Sequence, residues 1–114
     1  MEANHASLTP AMQEHQQLEW KEAWRDEHLK WVCAFANAEG GTLVIGRDDE
    51  GRAVGVPSAR KLLEDLPNKV RDLLGVVVQV NLRHDAGLDV LELVTPAYPT
   101  PISYRGHYYL RSGS

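Results

Sequence analysis

The sequence predicts a single α+β domain, built from a mixed β-sheet with two main helices. Short segments with the alternating pattern of strands are interleaved with two longer segments that have the periodicity of amphipathic helices. The length of 114 residues fits one domain, which can bury an adequate core without disulfides. We expect the order β-α-β-β-α-β-β-β-β, with residues 1–13 as a flexible N-terminal segment and residues 14–114 as the folded domain.

The first predicted elements are a strand and a helix. Residues 18–21 alternate apolar and polar side chains, which predicts a strand with Leu18 and Trp20 toward the core. Asp26 is the expected N-cap of the helix that follows, and Gly40-Gly41 is expected to end it. The helix itself is predicted from apolar residues at i, i+3, i+4 and i+7, namely Leu29, Val32, Cys33 and Ala36.

A β-hairpin is predicted next. Residues 42–45 have the pattern of a buried strand, and residues 54–56 have that of its partner. The sequence Asp48-Asp49-Glu50-Gly51 between them has turn chemistry, with Gly51 expected to take a positive φ angle. A turn of this kind needs one acidic residue at most, so the second aspartate requires another explanation.

The second helix is expected to begin after Ser58, and Pro67 is expected to kink it or divide it in two. Strands at residues 76–82 and 90–94 follow, joined by a loop at residues 84–87.

The C-terminal part of the sequence is expected to form an extended segment followed by a final hairpin. Three prolines, at positions 96, 99 and 101, exclude a central strand there. Tyr104 and residues 108–110 flank Arg105-Gly106, which is typical of a short hairpin turn.

Composition narrows the classes of function. A net charge of −4 excludes a surface that is basic all round, although twelve Lys and Arg residues can still gather on one face. No apolar run is long enough to cross a membrane, and residues 1–10 lack the hydrophobic region of a signal peptide. The single cysteine, Cys33, has no partner for a disulfide and is expected to be a small core residue. These features predict a soluble, cytoplasmic protein.

Several separated motifs resemble one known family, the Schlafen AlbA-type domain. They are LEWKEA, AFANAEGGTLVIGRDDEGRAVGV, PAYPTPI and the terminal YYLRSGS, and they occur in the family's order between Glu14 and Ser114. The resemblance implies a Schlafen AlbA-like fold. It also implies a nucleic-acid-binding role, on DNA or structured RNA, since the family is described as a DNA-binding domain of bacterial and archaeal regulators. The chain is also similar to the N-terminal portion of eukaryotic Schlafen proteins.

Within Schlafen proteins, the resemblance further implies a metal-dependent endoribonuclease that acts on structured RNA such as transfer RNA. The matching positions here are Glu14, Glu19 and Asp49, with Asp48 as a further metal ligand. Carboxylate oxygens suit Mg or Mn, which can stabilise the charge that develops during phosphodiester cleavage. Glu14 and Glu19 are separated by an odd number of residues, so Glu14 must lie before the strand to share a site. The residues alone leave open that Asp48-Asp49 is a solvated turn.

The candidate nucleic-acid contacts are cations interleaved with aromatic residues that can stack on unpaired bases. The cations are Lys21, Arg25, Arg47, Arg105 and Arg111, and the aromatic residues are Tyr104, Tyr108 and Tyr109. Lys21, Arg47 and Arg111 are expected on one side of the sheet. The alternative is that the tyrosines cover a sheet edge and the arginines keep it soluble.

A protein-interaction module that forms a homodimer through exposed strands is a third hypothesis. The segment from Gly46 to Ala53 resembles a phosphate-binding loop but lacks its Lys and its Ser or Thr, so we expect no nucleotide cofactor.

Overall fold

A computed structural model describes residues 17–110, and within this range four strands form one mixed sheet and two helices cover one of its faces. The strands are β1 (Leu18–Lys21), β2 (Gly41–Ile45), β3 (Gln79–Asp85) and β4 (Leu88–Thr95). The helices are α1 (Leu29–Ala36) and α2 (Ala59–Leu74), and a 3-10 helix, Asp26–His28, precedes α1. The predicted class, an α+β domain with a mixed sheet and two main helices, is confirmed.

The strand order in the sheet is β1-β2-β4-β3. β1 and β2 are parallel, as is usual for strands joined by a helical crossover, here α1. The β2–β4 and β4–β3 pairs are antiparallel. Asp85 pairs with Leu88, so the β3–β4 hairpin turns on two residues. The predicted loop at 84–87 is therefore shorter than expected, and β3 extends three residues further along the chain.

The main core lies between the sheet and the helices. Leu43, Leu91 and Leu93 of the sheet and Leu66 and Val70 of α2 are all fully buried there. Cys33 is also fully buried, as predicted, and burial raises the pKa of its thiol. A second, smaller apolar cluster on the opposite face of the sheet contains Trp20, Val44 and Val90.

In β1, Leu18 and Trp20 share one face and Glu19 and Lys21 the other, as predicted, and Trp20 is buried. The cluster that Trp20 enters is, however, the smaller one, on the face away from the helices. By register, Glu19 pairs with Leu43 and Lys21 with Ile45, so the two charged side chains share the helix-covered face. Because β1 is an edge strand, its helix-side positions keep access to solvent.

Gly40 and Gly41 are required to be glycine for different steric reasons. Gly40 has a φ of 84°, and a Cβ there would lie 2.7 Å from the carbonyl oxygen of Thr95. A Cβ on Gly41 would lie 2.3 Å from the Phe35 ring. Both positions therefore allow the end of α1 to pack closely against β2 and β4. The helix ends at Ala36, four residues before Gly40.

Two predicted hairpins are wrong. Instead of a strand at 54–56, the chain forms a single bridge between Arg47 and Ala53. At the C-terminal end, a bridge between Tyr104 and His107 replaces the predicted strands. In both places, side-chain contacts and isolated backbone hydrogen bonds hold the chain instead of the continuous β-sheet pairing that was expected. The order of elements in the described range is therefore β-α-β-α-β-β.

Two predictions about helices are corrected by the structure. α2 is not divided at Pro67, because the buried residues Leu66 and Val70 anchor it on both sides of the one lost hydrogen bond; the alternative, a kink at Pro67, stays a prediction. Asp26 does not cap α1 but begins the 3-10 helix.

Candidate nucleic-acid interface

The 3-10 helix connects β1 to α1 and carries a buried histidine. His28 is 7% exposed, and its Nδ1 accepts a hydrogen bond of 3.1 Å from the backbone N–H of Arg25. The Trp24 ring lies edge-on to the imidazole, with 5.8 Å between ring centroids. Because Nδ1 can accept this bond only when it is unprotonated, the neutral form of His28 stabilises the turn.

Three cations act on the charge of the His28 ring: Lys21 on β1, Arg25 before the 3-10 helix and Lys30 on α1. Burial lowers the pKa of the imidazole, and the three positive charges lower that pKa further, against an opposing contribution from Glu27. The protonated form of His28 is therefore disfavoured in the folded domain.

Asp26 connects this turn to distant parts of the chain. Its Oδ1 accepts hydrogen bonds of 2.9 Å from Lys69 Nζ and from Trp24 Nε1, and these bonds, that of Lys69 foremost, hold the pKa of the Asp26 carboxyl below its usual range. The Tyr104 hydroxyl donates to the backbone oxygen of Asp26 over 3.4 Å. Arg105 lies 5.3 Å from the Tyr104 ring centroid. These contacts bring Arg105 to the same surface as the 3-10 helix.

We call this group of exposed or half-exposed cations the basic surface; its members are Lys21, Arg25, Lys30 and Arg105. Within residues 17–110, the last three form no ion pair. Lys21 lies 3.4 Å from Glu19, and its ammonium is 5.2 Å from the centroid of the Trp31 ring. Exposed Glu22, Asp26 and Glu27 lie in the same segment, and Arg105 acts on the Asp26 carboxylate. Three cations without an ion pair among the described residues, beside aromatic rings, nevertheless suit contact with phosphate groups.

Arg47 does not belong to this surface. It lines a cleft on the opposite face of the sheet together with Trp20. Its Nη1 lies 2.8 Å from Asp85 Oδ2 and donates a hydrogen bond of 2.9 Å to the carbonyl oxygen of Gly51. Lys21 faces the helices, so the expectation that Lys21 and Arg47 share one side of the sheet is wrong. The predicted contact Arg111 lies outside the described residues.

The two adjacent aspartates have different environments. Asp48 Oδ1 accepts hydrogen bonds of 2.9 Å from the backbone N–H groups of Glu50 and Arg52, and Oδ2 accepts one of 3.0 Å from Arg52 Nε. These bonds, that from the Arg52 backbone foremost, lower the pKa of the Asp48 carboxyl. Gly51 has the predicted positive φ, 85°. Asp48 therefore builds the turn, whereas Asp49 is exposed.

The predicted carboxylate triad is only partly within the described range. Glu14 lies outside it. Among residues 17–110, no group of three or more His, Cys, Asp or Glu side chains is close enough together to hold a metal ion. Glu19 is described; its side chain is 14% exposed and forms the ion pair with Lys21. A Mg or Mn site formed by Glu14, Glu19 and Asp49 therefore stays a prediction.

Asn37, at the C-terminal end of α1, fixes the C-terminal segment against that helix. Its Nδ2 donates to the carbonyl oxygens of Ile102 and Tyr109 at 2.8 and 3.0 Å, and its Oδ1 accepts from the Ile102 N–H at 2.7 Å. Tyr108 and Leu110, which flank this attachment, are 66% and 72% exposed. One side chain thus holds the backbone that presents two exposed apolar residues next to α1.

Sequence reasoning missed several residues of this region. Lys30 and Trp31 were not singled out because they lie outside the apolar stripe of α1. A signal was present: Lys30, Ala34 and Asn37 follow the helical spacing i, i+4 and i+7 on another stripe of the same helix. That spacing does not reveal the hydrogen bonds of Asn37, because its partners are backbone atoms 65 and 72 residues away.

Fold and site together define a small α+β domain with one helix-covered sheet face and a group of cations beside it. A family model, described as Schlafen, AlbA_2, matches residues 14–114. The chain belongs to this family, and the family expected from the sequence motifs is confirmed. No curated protein matches the chain significantly.

Two solved structures share the fold. The N-terminal domain of a RecG-related protein from Nitrosomonas europaea, named as a candidate ATP-dependent DNA helicase, is 28% identical with a TM-score of 0.72. The match covers 95% of this chain and 86% of that domain. A protein from Corynebacterium diphtheriae is 23% identical with a TM-score of 0.72, over 86% of this chain and 21% of its own length. At that identity the second match shows the fold alone.

Neither described helix combines the length and the apolar character needed to span a bilayer. A cytoplasmic location and a homodimer, both expected from the sequence, stay predictions.

Proposed function

We propose that the domain binds nucleic acid through the basic surface. The observation that carries the proposal is the grouping of Arg25 and Lys30, around the 3-10 helix, with Arg105 from the C-terminal part of the chain; none of the three forms an ion pair within residues 17–110, although Arg105 acts on the Asp26 carboxylate. Ion pairs elsewhere neutralise cations such as Arg47, Lys61 and Arg83. Phosphate groups of a DNA or RNA backbone are the natural complement of such a patch.

The aromatic residues beside these cations support the proposal. Trp24 is anchored by Asp26, and Trp31 packs under the Lys21 ammonium, so both rings are held in fixed orientations at the rim of the basic surface. Fixed aromatic rings next to positive charges are a common arrangement in proteins that bind single strands. The Nitrosomonas europaea relative is named as related to a DNA helicase, which agrees with a role for the domain on nucleic acid.

The salt dependence of binding tests the proposal. Affinities of labelled DNA and RNA are measured by fluorescence anisotropy over a range of salt concentrations. Replacing Arg25, Lys30 and Arg105 together by glutamine is expected to weaken binding. It should also reduce the slope of log K against log salt by about two to three units, because each lost phosphate contact removes about 0.7 to 0.9.

A matched control carries the same change of net charge elsewhere. The triple variant Arg60→Gln, Lys61→Gln and Arg71→Gln alters three exposed cations on α2, and it is expected to keep the wild-type slope. Equal effects of the two triple variants would refute a specific basic surface. Absence of binding by the wild-type domain to any of the nucleic acids would refute the function.

A second candidate function is a divalent-metal-dependent endoribonuclease, and one observation favours it. β1 and β2 are parallel neighbours, and the Gly46 N–H donates to the Lys21 carbonyl oxygen at 2.7 Å. The turn that carries Asp49 therefore leaves the same end of the sheet that Glu19 approaches along β1. Mg or Mn held by Glu14, Glu19 and Asp49 would neutralise charge on a bound phosphate.

Cleavage of transfer RNA in the presence of Mn tests this candidate. Glu19→Gln is expected to abolish cleavage, and Glu64→Gln, on the exposed side of α2, is expected to retain it. Binding without cleavage in both Mg and Mn would remove the nuclease and leave the binding function intact.

A further inference from the structure

Two neighbouring open clefts, of about 250 and 470 Å³, lie between α1 and the C-terminal segment and share Leu110. The smaller cleft is lined by Lys30 and Ala34 of α1 and by Tyr109. The larger cleft is lined by Asn37 and Tyr108. We call this pair of clefts the α1 groove.

The lining of the α1 groove is aromatic and apolar and contains no acidic side chain among the described residues. The cleft at the Lys30 end is lined by Lys30, Trp31, Ala34, Tyr109 and Leu110. The other cleft is lined by Asn37, Tyr98, Pro99, Thr100, Pro101, Tyr108 and Leu110. Clefts elsewhere on the described surface do contain carboxylates, for example Glu39 and Glu92 on the open face of the sheet. In a chain with 16 acidic residues, this groove is therefore suited to an anionic ligand.

We propose that the α1 groove binds the unpaired bases of a single-stranded nucleic acid, with Tyr108 as a stacking platform. The inference rests on the proposed nucleic-acid binding and specifies the kind of strand. The distance along the helix from Lys30 to Asn37 is about 10 Å at 1.5 Å per residue, which leaves room for a short stretch of unpaired nucleotides.

The chemistry of the groove favours an unpaired strand over a duplex. In a duplex, both faces of each base are stacked on neighbouring bases, so a protein ring cannot reach them. A single strand can turn its bases into the groove while a phosphate at one end of the bound stretch meets Lys30, beside the basic surface. Tyr108 is 66% exposed, so its ring is accessible. The backbone beneath it is fixed through Asn37, which reduces the entropy lost when a base stacks.

Binding of labelled single-stranded and duplex oligonucleotides of the same sequence tests the proposal. Tyr108→Ala is expected to weaken single-strand binding by about 5- to 140-fold, the loss that corresponds to one base–aromatic stack, and to leave duplex binding unchanged. Tyr108→Phe retains the ring and is expected to bind like the wild type. Because the side chain is largely exposed, both variants should fold, which their melting temperatures check.

The outcomes separate this inference from the proposed function. If Tyr108→Ala binds both kinds of oligonucleotide as tightly as the wild type, the groove is not the site, while binding by the basic surface stands. An equal loss for single strand and duplex likewise overturns the preference for unpaired bases. If light scattering shows a wild-type dimer that Tyr108→Ala dissociates with no change in affinity, the groove is a contact between copies of the chain. If the wild type binds neither oligonucleotide, both proposals fail.

Discussion

Replacing Asn37 by alanine tests how the C-terminal segment is held against α1. The substitution removes three hydrogen bonds of 2.7 to 3.0 Å to the backbone of Ile102 and Tyr109. Ile102 is 9% exposed, so water replaces few of its lost bonds. A hydrogen bond contributes about 0.5 to 1.5 kcal/mol, and a buried group left unpaired costs about 1 to 3 kcal/mol, so we expect a loss of about 3 kcal/mol.

Thermal and urea unfolding measure this loss. In a domain of this size, 1 kcal/mol corresponds to about 4 °C, so the melting temperature should fall by about 12 °C. Asn37→Asp preserves the shape and the acceptor for the Ile102 N–H, but places a carboxylate oxygen against two carbonyl oxygens, and it is expected to lose at least as much stability.

The control is Asn68→Ala, at an exposed position of α2, where a change within about 0.5 kcal/mol is expected. A fall of less than about 2 °C for Asn37→Ala would mean that other contacts hold the segment and that the reasoning about this side chain is wrong.

Three further predictions concern glycine geometry, pH and thiol reactivity. Gly75→Ala, at a φ of 71° with no heavy atom within 4 Å, should cost about 1 to 2 kcal/mol. Gly40→Ala should cost at least twice as much, because its Cβ would lie 2.7 Å from a carbonyl oxygen of β4; equal losses in urea unfolding would contradict this. The pKa of His28 is lowered from 6.5 by burial and neighbouring cations, so the unfolded chain binds this proton more readily. The free energy of unfolding should therefore decrease as the pH falls below 6.5, and His28→Asn should lack this decrease; the same pH dependence in both proteins would refute the assignment. Cys33 is fully buried and burial raises the pKa of its thiol, so a thiol reagent should label it only as fast as the domain opens; rapid labelling of the folded protein would contradict its burial.

The periodic segments of the chain predicted the fold class, both helices and the positions of all four described strands within a few residues. The pattern could not predict which side of β1 the helices cover. Alternation separates the faces of a strand, but only packing decides which face meets the larger core, and β1 has apolar Trp20 on one side and the packed pair Lys21 and Trp31 on the other.

The prediction of a C-terminal hairpin was wrong for a different physical reason. Its sequence favours strands around a turn, yet Asn37 satisfies the backbone of this segment with side-chain hydrogen bonds, which removes the need for a ladder. Such long-range polar contacts leave no periodic trace in a sequence.

The sequence predicted which types of residue form the candidate site, but only partly where those residues lie in the fold. Lys21, Arg25 and Arg105 were chosen as cations near aromatic residues, and the structure groups them at one end of α1. Arg47 met the same criterion but forms contacts with Asp85 and Gly51 on the other face of the sheet. Sequence shows which side chains carry charge, whereas the tertiary fold decides which of those charges are already neutralised.

The central claim is that the helix-covered side of the domain, and not the open face of the sheet, contacts nucleic acid. NMR chemical-shift mapping during titration with a single-stranded oligonucleotide tests it most directly. We expect the largest amide shifts at residues 24–31 and 108–110, around the basic surface and the α1 groove. Shifts concentrated instead at Thr42, Val44 and Arg47, on the open face, would contradict the claim.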